Sequence, residues 1–416
     1  MQTLNNIRVS MRDQLYNMFS TCDEFIEVAS DAQGTSSSRC SSSLEGIHNT
    51  IHNAIGGTGS SGVSGGHMTY LATSAFDPLF WLHHTNVDRL FVMWQTIYPN
   101  QWSGSERAPQ GTWAFPAGAT KNLDSPLQPF HRDTAGNFWT TNQLRYPRNV
   151  GYTYPEILNT DGSSRAMQSI VNKLYGPGAT ATAGSTKRTA APEPVPQEEE
   201  ADTITPLKAN NGSLYQYVSN IKTPRYALNG SYWIFVFNGE PTTEPTTHLT
   251  DPNLVGPVGV LAQPDMDMDK TMLAAYSVPL TTFLTGEQDK GNIPDLEPAT
   301  VAPYLKENLV WKIVNATGQN VPPETVQGFE VTVFQSTATP PKEYELPSWS
   351  EFIPVVESTE QKAGGATVES LVAADELPAD TPVGSATSSG AASSSTTAAG
   401  GGAAAPASYD RRNKRG

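Results

Sequence analysis

The sequence predicts a mainly α, loop-rich domain organised as a helical bundle, followed by a mostly β C-terminal domain and a disordered tail. Three observations carry this. Apolar residues recur at spacings of three and four through much of the first hundred positions, the period of an amphipathic helix. After position 230, short runs that alternate apolar and polar residues sit between turn signals, as strands do. At 176–204 and again from Glu357, aromatic residues thin out and small or polar residues dominate, so these stretches bury too little apolar surface to offset the entropy of ordering. The boundaries that follow are a helical domain at 1–175, a flexible linker at 176–204, a β-rich domain at 205–356 and a disordered tail at 357–416.

Leu4, Ile7, Met11, Leu15, Met18 and Phe19 predict the first helix. A Ser-rich loop, Thr35 to Ser43, leads into "SLEGIHNTIHNAIGG", where a serine precedes a short helix and Gly56-Gly57 can end it. "GGTGSSGVSGG", 56–66, reads as a mobile loop. In the next helix Asp77 is a natural N-cap and Pro78 suits the first turn, where its missing N–H costs nothing. Leu79, Phe80, Leu82, Val87, Leu90, Phe91, Trp94 and Ile97 make it apolar round most of its circumference, which predicts burial. Residues 99–155 are loop-heavy and end at "GYTYPE"; Ile170 to Tyr175 form a further short helix. "GSYWIFVFNG", "ENLVWKIVN" and "FEVTVFQS" are the strands of the second domain.

The chain has 416 residues, 37% of them hydrophobic, enough for at least one substantial core. Its 41 Asp and Glu outnumber 26 Lys and Arg, and a net charge of −15 argues against nucleic acid or an anionic membrane as partner. Small molecules or proteins are the expected partners. No apolar run is long enough to span a membrane, and the first thirty residues are amphipathic and charged, so the expectation is a cytoplasmic protein. Cys22 and Cys40 are too few for a disulfide scaffold and are expected as two reduced thiols.

The chemistry lies in the histidines. His48 and His52 are four residues apart, so they share one helix face. Such pairs also arise by chance. The signal strengthens with His83 and His84, because an imidazole buried without a partner is costly. One of these two can ligate a metal while the other turns to a hydrogen-bond partner. Three neutral imidazoles suit copper, zinc, nickel or iron and leave a position open for reaction.

"LEGIHNTIH", "GGHM" and "AFDPLFWLHHTNVDRLF" closely resemble the copper B half of tyrosinases, the fungal branch of the dinuclear (type-3) copper family that includes catechol oxidases and hemocyanins. "GYTYPE" resembles the tyrosine motif that closes the family's catalytic domain. The likeness is strong over about 1–155 and looser through 356. It implies copper held by His48, His52 and His84, with His83 a supporting neighbour. It also implies that Glu45 and Asn49 hold a water that deprotonates a phenol, an arrangement able to accept a proton beside a metal. Without the resemblance, Glu45 reads equally well as a charge favoured at a helix start. Asp88 is expected to orient a ligand or to pair with Arg89.

By the same resemblance the substrates are phenols and dioxygen: monophenols are hydroxylated to o-diphenols and these oxidised to o-quinones, feeding melanin. The family's other copper, copper A, takes its histidines from upstream, yet the 47 residues before His48 contain none. The chain as written is therefore expected to lack the copper A half, to hold at most one copper, to be inactive or nearly so, and to associate through its uncovered core helix. A non-catalytic copper-binding or interaction fragment, an oxygen carrier and a catechol oxidase are the competing readings; Glu45 with Asn49 and a removable C-terminal domain favour the enzyme over the carrier. Lys187-Arg188 lies where a protease could free that domain, although dibasic pairs occur by chance. "GVSGG" lacks the strand that a nucleophile elbow needs, "DMDMD" lacks the glycine and glutamate of a calcium loop, and His67 reads as a hydrogen-bonded structural residue.

Overall fold

A computed structural model describes residues 2–32, 39–40, 42–57, 65–108, 111–179, 213–263, 272–342 and 344–374. The linker with Lys187-Arg188, the "DMDMD" turn and most of "GVSGG" lie outside them. Five helices matter in the first part: α1 (Gln2–Thr21), α2 (Phe25–Ala29), α3 (Leu44–Gly56), α4 (Pro78–Ile97) and α5 (Ser164–Tyr175). The second part runs β1 (Leu214–Pro224), β2 (Tyr232–Asn238), β3 (Leu254–Val260), β4 (Leu273–Pro279), α6 (Thr281–Asp289), α7 (Pro298–Asn308), β5 (Leu309–Val314), β6 (Asn320–Val321), β7 (Glu330–Ala338), β8 (Ile353–Pro354) and α8 (Val368–Ala373). Among the described residues no helix is long and apolar enough to cross a membrane.

The caps are those the sequence signals. The Ser43 side chain accepts from Gly46 N–H, and Gly57, at φ +74°, returns its N–H to Asn53. Asp77 accepts from Leu79 N–H at 2.9 Å, with Pro78 in the first turn.

The strands form two antiparallel sheets, ordered β6-β5-β2-β3 and β8-β7-β1-β4. Tyr232, Ile234 and Val236 point between the sheets, where they meet Tyr217, Ile221, Tyr276, Val278, Val331 and Val333. The alternate residues Trp233, Phe235 and Phe237 face the other way, into one core with Met18 and Phe19 of α1, Ile47 of α3 and Met93 and Trp94 of α4. Strand β2 is thus buried on both faces, which is why it reads as continuous apolar sequence instead of the expected apolar-polar alternation. Helical and β parts accordingly share one core within one compact unit.

Two glycines permit the close approach of helices and sheet. A Cβ on Gly259 of β3 would lie 2.8 Å from the Cα of Thr50, and one on Gly256 would lie 2.3 Å from Ser10 Oγ. With no side chain in the way, Gly259 N–H donates to Thr50 Oγ1, while Asn53 Nδ2 caps the carbonyls of Tyr232 and Val260 at 3.1 and 3.2 Å. Helix α3, which carries two of the histidines, is bolted to the sheet by these bonds.

Three expectations need correction. Cys22 and Cys40 are not free thiols but form a disulfide, because the end of α1 and the approach to α3 meet with Cα atoms 5.1 Å apart. The bridge closes a loop over a sequence separation of 18, and losing it should cost about 3 kcal/mol through the freed denatured chain. Urea unfolding of the oxidised chain against a Cys22→Ser/Cys40→Ser variant measures this; equal midpoints would show that the bridge adds nothing. Second, order does not stop at 356: Gly365 bridges Val331 in parallel, and Thr359, Ala366 and Leu371 are fully buried, so their few apolar and hydroxyl side chains pack where the composition suggested a tail.

Third, α4 is only half buried. Leu90, Met93, Trp94 and Ile97 lie in the core, and Trp94 Nε1 donates to the Cys22 carbonyl at 2.8 Å. The first two turns are open: Trp81 is 61% and Leu82 70% exposed, beside Phe76 at 83%.

Candidate metal centre

Helix α3 projects His48 and His52 from one face, and α4 crosses it so that His84 meets both. His84 Nε2 lies 3.2 Å from His48 Nε2 and 3.3 Å from His52 Nε2. With His83 added, each of the four residues offers a ring nitrogen within 4.8 Å of the others, the one such grouping of three or more His, Cys, Asp or Glu among the described residues. His52 is fully buried, and its Nδ1 lies 2.7 Å from the carbonyl of Met68. A carbonyl only accepts, so the His52 proton is on Nδ1 and its Nε2 presents a bare lone pair to the cluster. Burial, followed by repulsion from His52 and His84, pushes the His48 pKa down to about 4. Burial and the neighbouring imidazoles take His83 to about 3, and His52 and His84 are lowered as well. The cluster is therefore uncharged at neutral pH.

Converging nitrogen lone pairs repel unless a proton or a metal cation sits among them, and three neutral imidazoles are a donor set that fits a metal such as copper. His83 differs from the other three. Its ring is stacked on that of His48, 5.0 Å away and 17° from parallel, so its in-plane lone pairs do not aim where those of His48 aim. It hydrogen-bonds the His48 backbone, and its Nε2 is buried without a partner. Phe80 stacks on His84 at 4.0 Å and closes one side of that ring.

Glu45 and Asn49 share the face of α3 one turn apart, and both reach Asp31. Asn49 Nδ2 donates to Asp31 Oδ2 at 3.0 Å and its Oδ1 lies 3.0 Å from His48 Nδ1. Glu45 Oε2 accepts from the backbone N–H of Asp31 at 2.9 Å, and its Oε1 is 3.3 Å from Arg225. Burial raises the Glu45 pKa to about 7, against a lowering hydrogen bond from Ser30. Arg225 also pairs with Asp31, and Tyr276 donates to Asp31 at 2.9 Å. Asp31, Arg225 and Tyr276 carry no local signal: they lie 13 or more positions from the histidine helix in sequence and are joined to it only by the fold.

Asp88 neither orients a ligand nor pairs with Arg89. It accepts from the hydroxyls of Tyr152 and Tyr154, at 2.7 and 2.5 Å, and Tyr154 also reaches the Thr85 carbonyl. Arg89 instead pairs with Glu156. The "GYTYPE" segment therefore clamps the helix that carries His84. Tyr154→Phe should cost about 1.5–3 kcal/mol, the range for a hydrogen bond to a charged group, and leave copper affinity nearly unchanged; thermal melts and a copper titration test both halves of that expectation. His67 is exposed rather than structural, His131 lies in an exposed hairpin, and His248 packs between Phe235 and Phe237.

Comparison with known proteins now adds to the geometry. Residues 2–97 match the common central domain of tyrosinase, and residues 216–333 match the tyrosinase C-terminal domain. The chain belongs to the tyrosinase family. A Neurospora crassa tyrosinase is 28% identical over 414 residues, covering 78% of this chain and 59% of the relative. A Podospora anserina tyrosinase is 32% identical over 290 residues, covering 58% and 49%. A solved structure of recombinant mushroom tyrosinase superposes with a TM-score of 0.63 at 22% identity, over 83% of this chain and 60% of that one, a likeness of fold. The chain spans about half the length of the tyrosinases it matches. Tyrosinases bind copper, and the His48, His52 and His84 cluster is consistent with a copper site.

Proposed function

We propose that this chain is the copper B half of a type-3 copper oxidoreductase acting on phenols, with His48, His52 and His84 holding one copper ion. The observation that supports it is the meeting of three Nε2 atoms, 3.2 and 3.3 Å from that of His84. Copper held there would supply the redox and dioxygen-binding chemistry that phenol oxidation requires. The chain's own residues orient and protect: Met68 fixes His52, Asn49 braces His48, and Phe80 shields His84. Glu45, raised by burial to about 7, suits a group that takes a proton near neutral pH, and with Asn49 it is our candidate for deprotonating the phenol through a water. The proposed substrates are monophenols, hydroxylated to o-diphenols and oxidised on to o-quinones, with dioxygen as oxidant and melanin-type pigment as the downstream product.

The chain as given has seven histidines, and His67, His131 and His248 stand apart from the cluster. This favours a second reading beside the first: on its own the chain binds one copper without turning over phenols. Elemental analysis after copper loading and dialysis separates the outcomes. One copper per chain supports the proposal, and two would overturn it. Oxygen uptake with L-tyrosine and L-DOPA, with and without added copper, then decides between the readings; fast turnover would refute near-inactivity. We further propose that the open face of α4, around Trp81 and Leu82, drives self-association, seen as concentration-dependent sedimentation that Leu82→Lys abolishes.

A further inference from the structure

Asp31 sits on the loop closed by the Cys22–Cys40 bridge, with its side chain wholly buried. A buried carboxylate needs compensation, and this one has a set of partners from distant parts of the chain. Arg225, just after β1, forms the ion pair; Tyr276 of β4 donates its hydroxyl at 2.9 Å; Asn49 of α3 donates its amide at 3.0 Å.

The direction of these bonds has a consequence at the histidines. A salt-bridged carboxylate can only accept, so Asn49 must turn its NH2 toward Asp31 and its carbonyl oxygen toward His48. That oxygen, too, can only accept. His48 must therefore carry its proton on Nδ1, which leaves Nε2, the atom facing His84, with a bare lone pair.

We propose that Asp31 is a positioning residue for the metal centre, fixing through Asn49 the tautomer of His48 that can ligate a metal. Arg225 and Tyr276 hold Asp31 in place, so the β-sandwich sets which nitrogen of a helix-borne histidine is free. The proposal rests on the reading of His48 as a copper ligand. It differs from a structural role for the same ion pair, which would hold the loop down without dictating where the His48 proton resides.

Two measurements on the whole chain test it. In the metal-free protein labelled with 15N-histidine, His48, assigned by the signals missing from His48→Gln, shows a protonated Nδ1 and a bare Nε2. Asp31→Asn keeps the size of the side chain but can donate as well as accept, so Asn49 is free to flip, the His48 signals split between tautomers, and Cu(II) affinity in chelator competition falls about 10- to 100-fold. A wild-type His48 protonated on Nε2 overturns the proposal, as does Asp31→Asn with unchanged tautomer and affinity. If that variant fails to fold, the wild-type spectrum decides alone. His52→Ala in the same titration guards the underlying reading: should it keep copper, the centre itself is misassigned, whereas loss there with no effect of Asp31→Asn sinks the Asp31 role only.

Discussion

His52→Ala retains no stoichiometric copper, while His83→Ala retains it. Both residues lie in the same cluster of imidazoles, but they are held differently. His52 is pinned by Met68 with Nε2 turned to His84, so its removal takes away one corner of the triangle that the metal would occupy. His83 lies parallel against His48 and contributes packing and one backbone bond. Copper per chain after loading and exhaustive dialysis reads the difference directly. Equal retention by both variants, or loss in His83→Ala alone, would reassign the third ligand. Circular dichroism must show both variants folded, since truncating a buried imidazole also opens a small void.

Arg225→Ala unfolds with a loss of about 3–5 kcal/mol, the magnitude for stripping the partner from a buried charge. The side chain of Asp31 has no exposure, and that of Arg225 is 17% exposed, so water cannot replace the missing guanidinium well. The loss is larger than the ion pair's own worth, because most of it is the carboxylate left behind. The double variant Asp31→Asn/Arg225→Gln removes both charges and should recover much of the stability. Urea unfolding of the single and double variants tests this, and a loss below about 1 kcal/mol in Arg225→Ala would mean the pair behaves as a solvated surface contact.

Much of the centre was legible from local pattern. The i,i+4 spacing of His48 and His52 is a property of any helix, and the caps at Ser43 and Asp77 placed both helices correctly. The apolar character of Leu90, Trp94 and Ile97 likewise foretold the buried half of α4. What local pattern cannot show is which residues a fold brings together from afar. Asp31, Asn49, Arg225 and Tyr276 are spread over nearly 250 positions, and each alone is an ordinary polar residue. For the same reason the partner of Asp88 proved to be a pair of tyrosines from another loop and not the adjacent arginine. Turn signals and apolar runs placed the strands β2, β5 and β7 of the second domain, although β2, covered on both sides, lacks the clean alternation by which half-exposed strands are recognised.

That doubly covered strand bears on how the molecule would respond to being cut. Trp233, Phe235 and Phe237 form the floor on which the histidine helices rest, so a protease nicking the connection between the two parts would sever the polypeptide without parting the pieces. Pulling them asunder would bare a wide aromatic surface on each, and a clipped molecule should hold together until something other than hydrolysis pries it open.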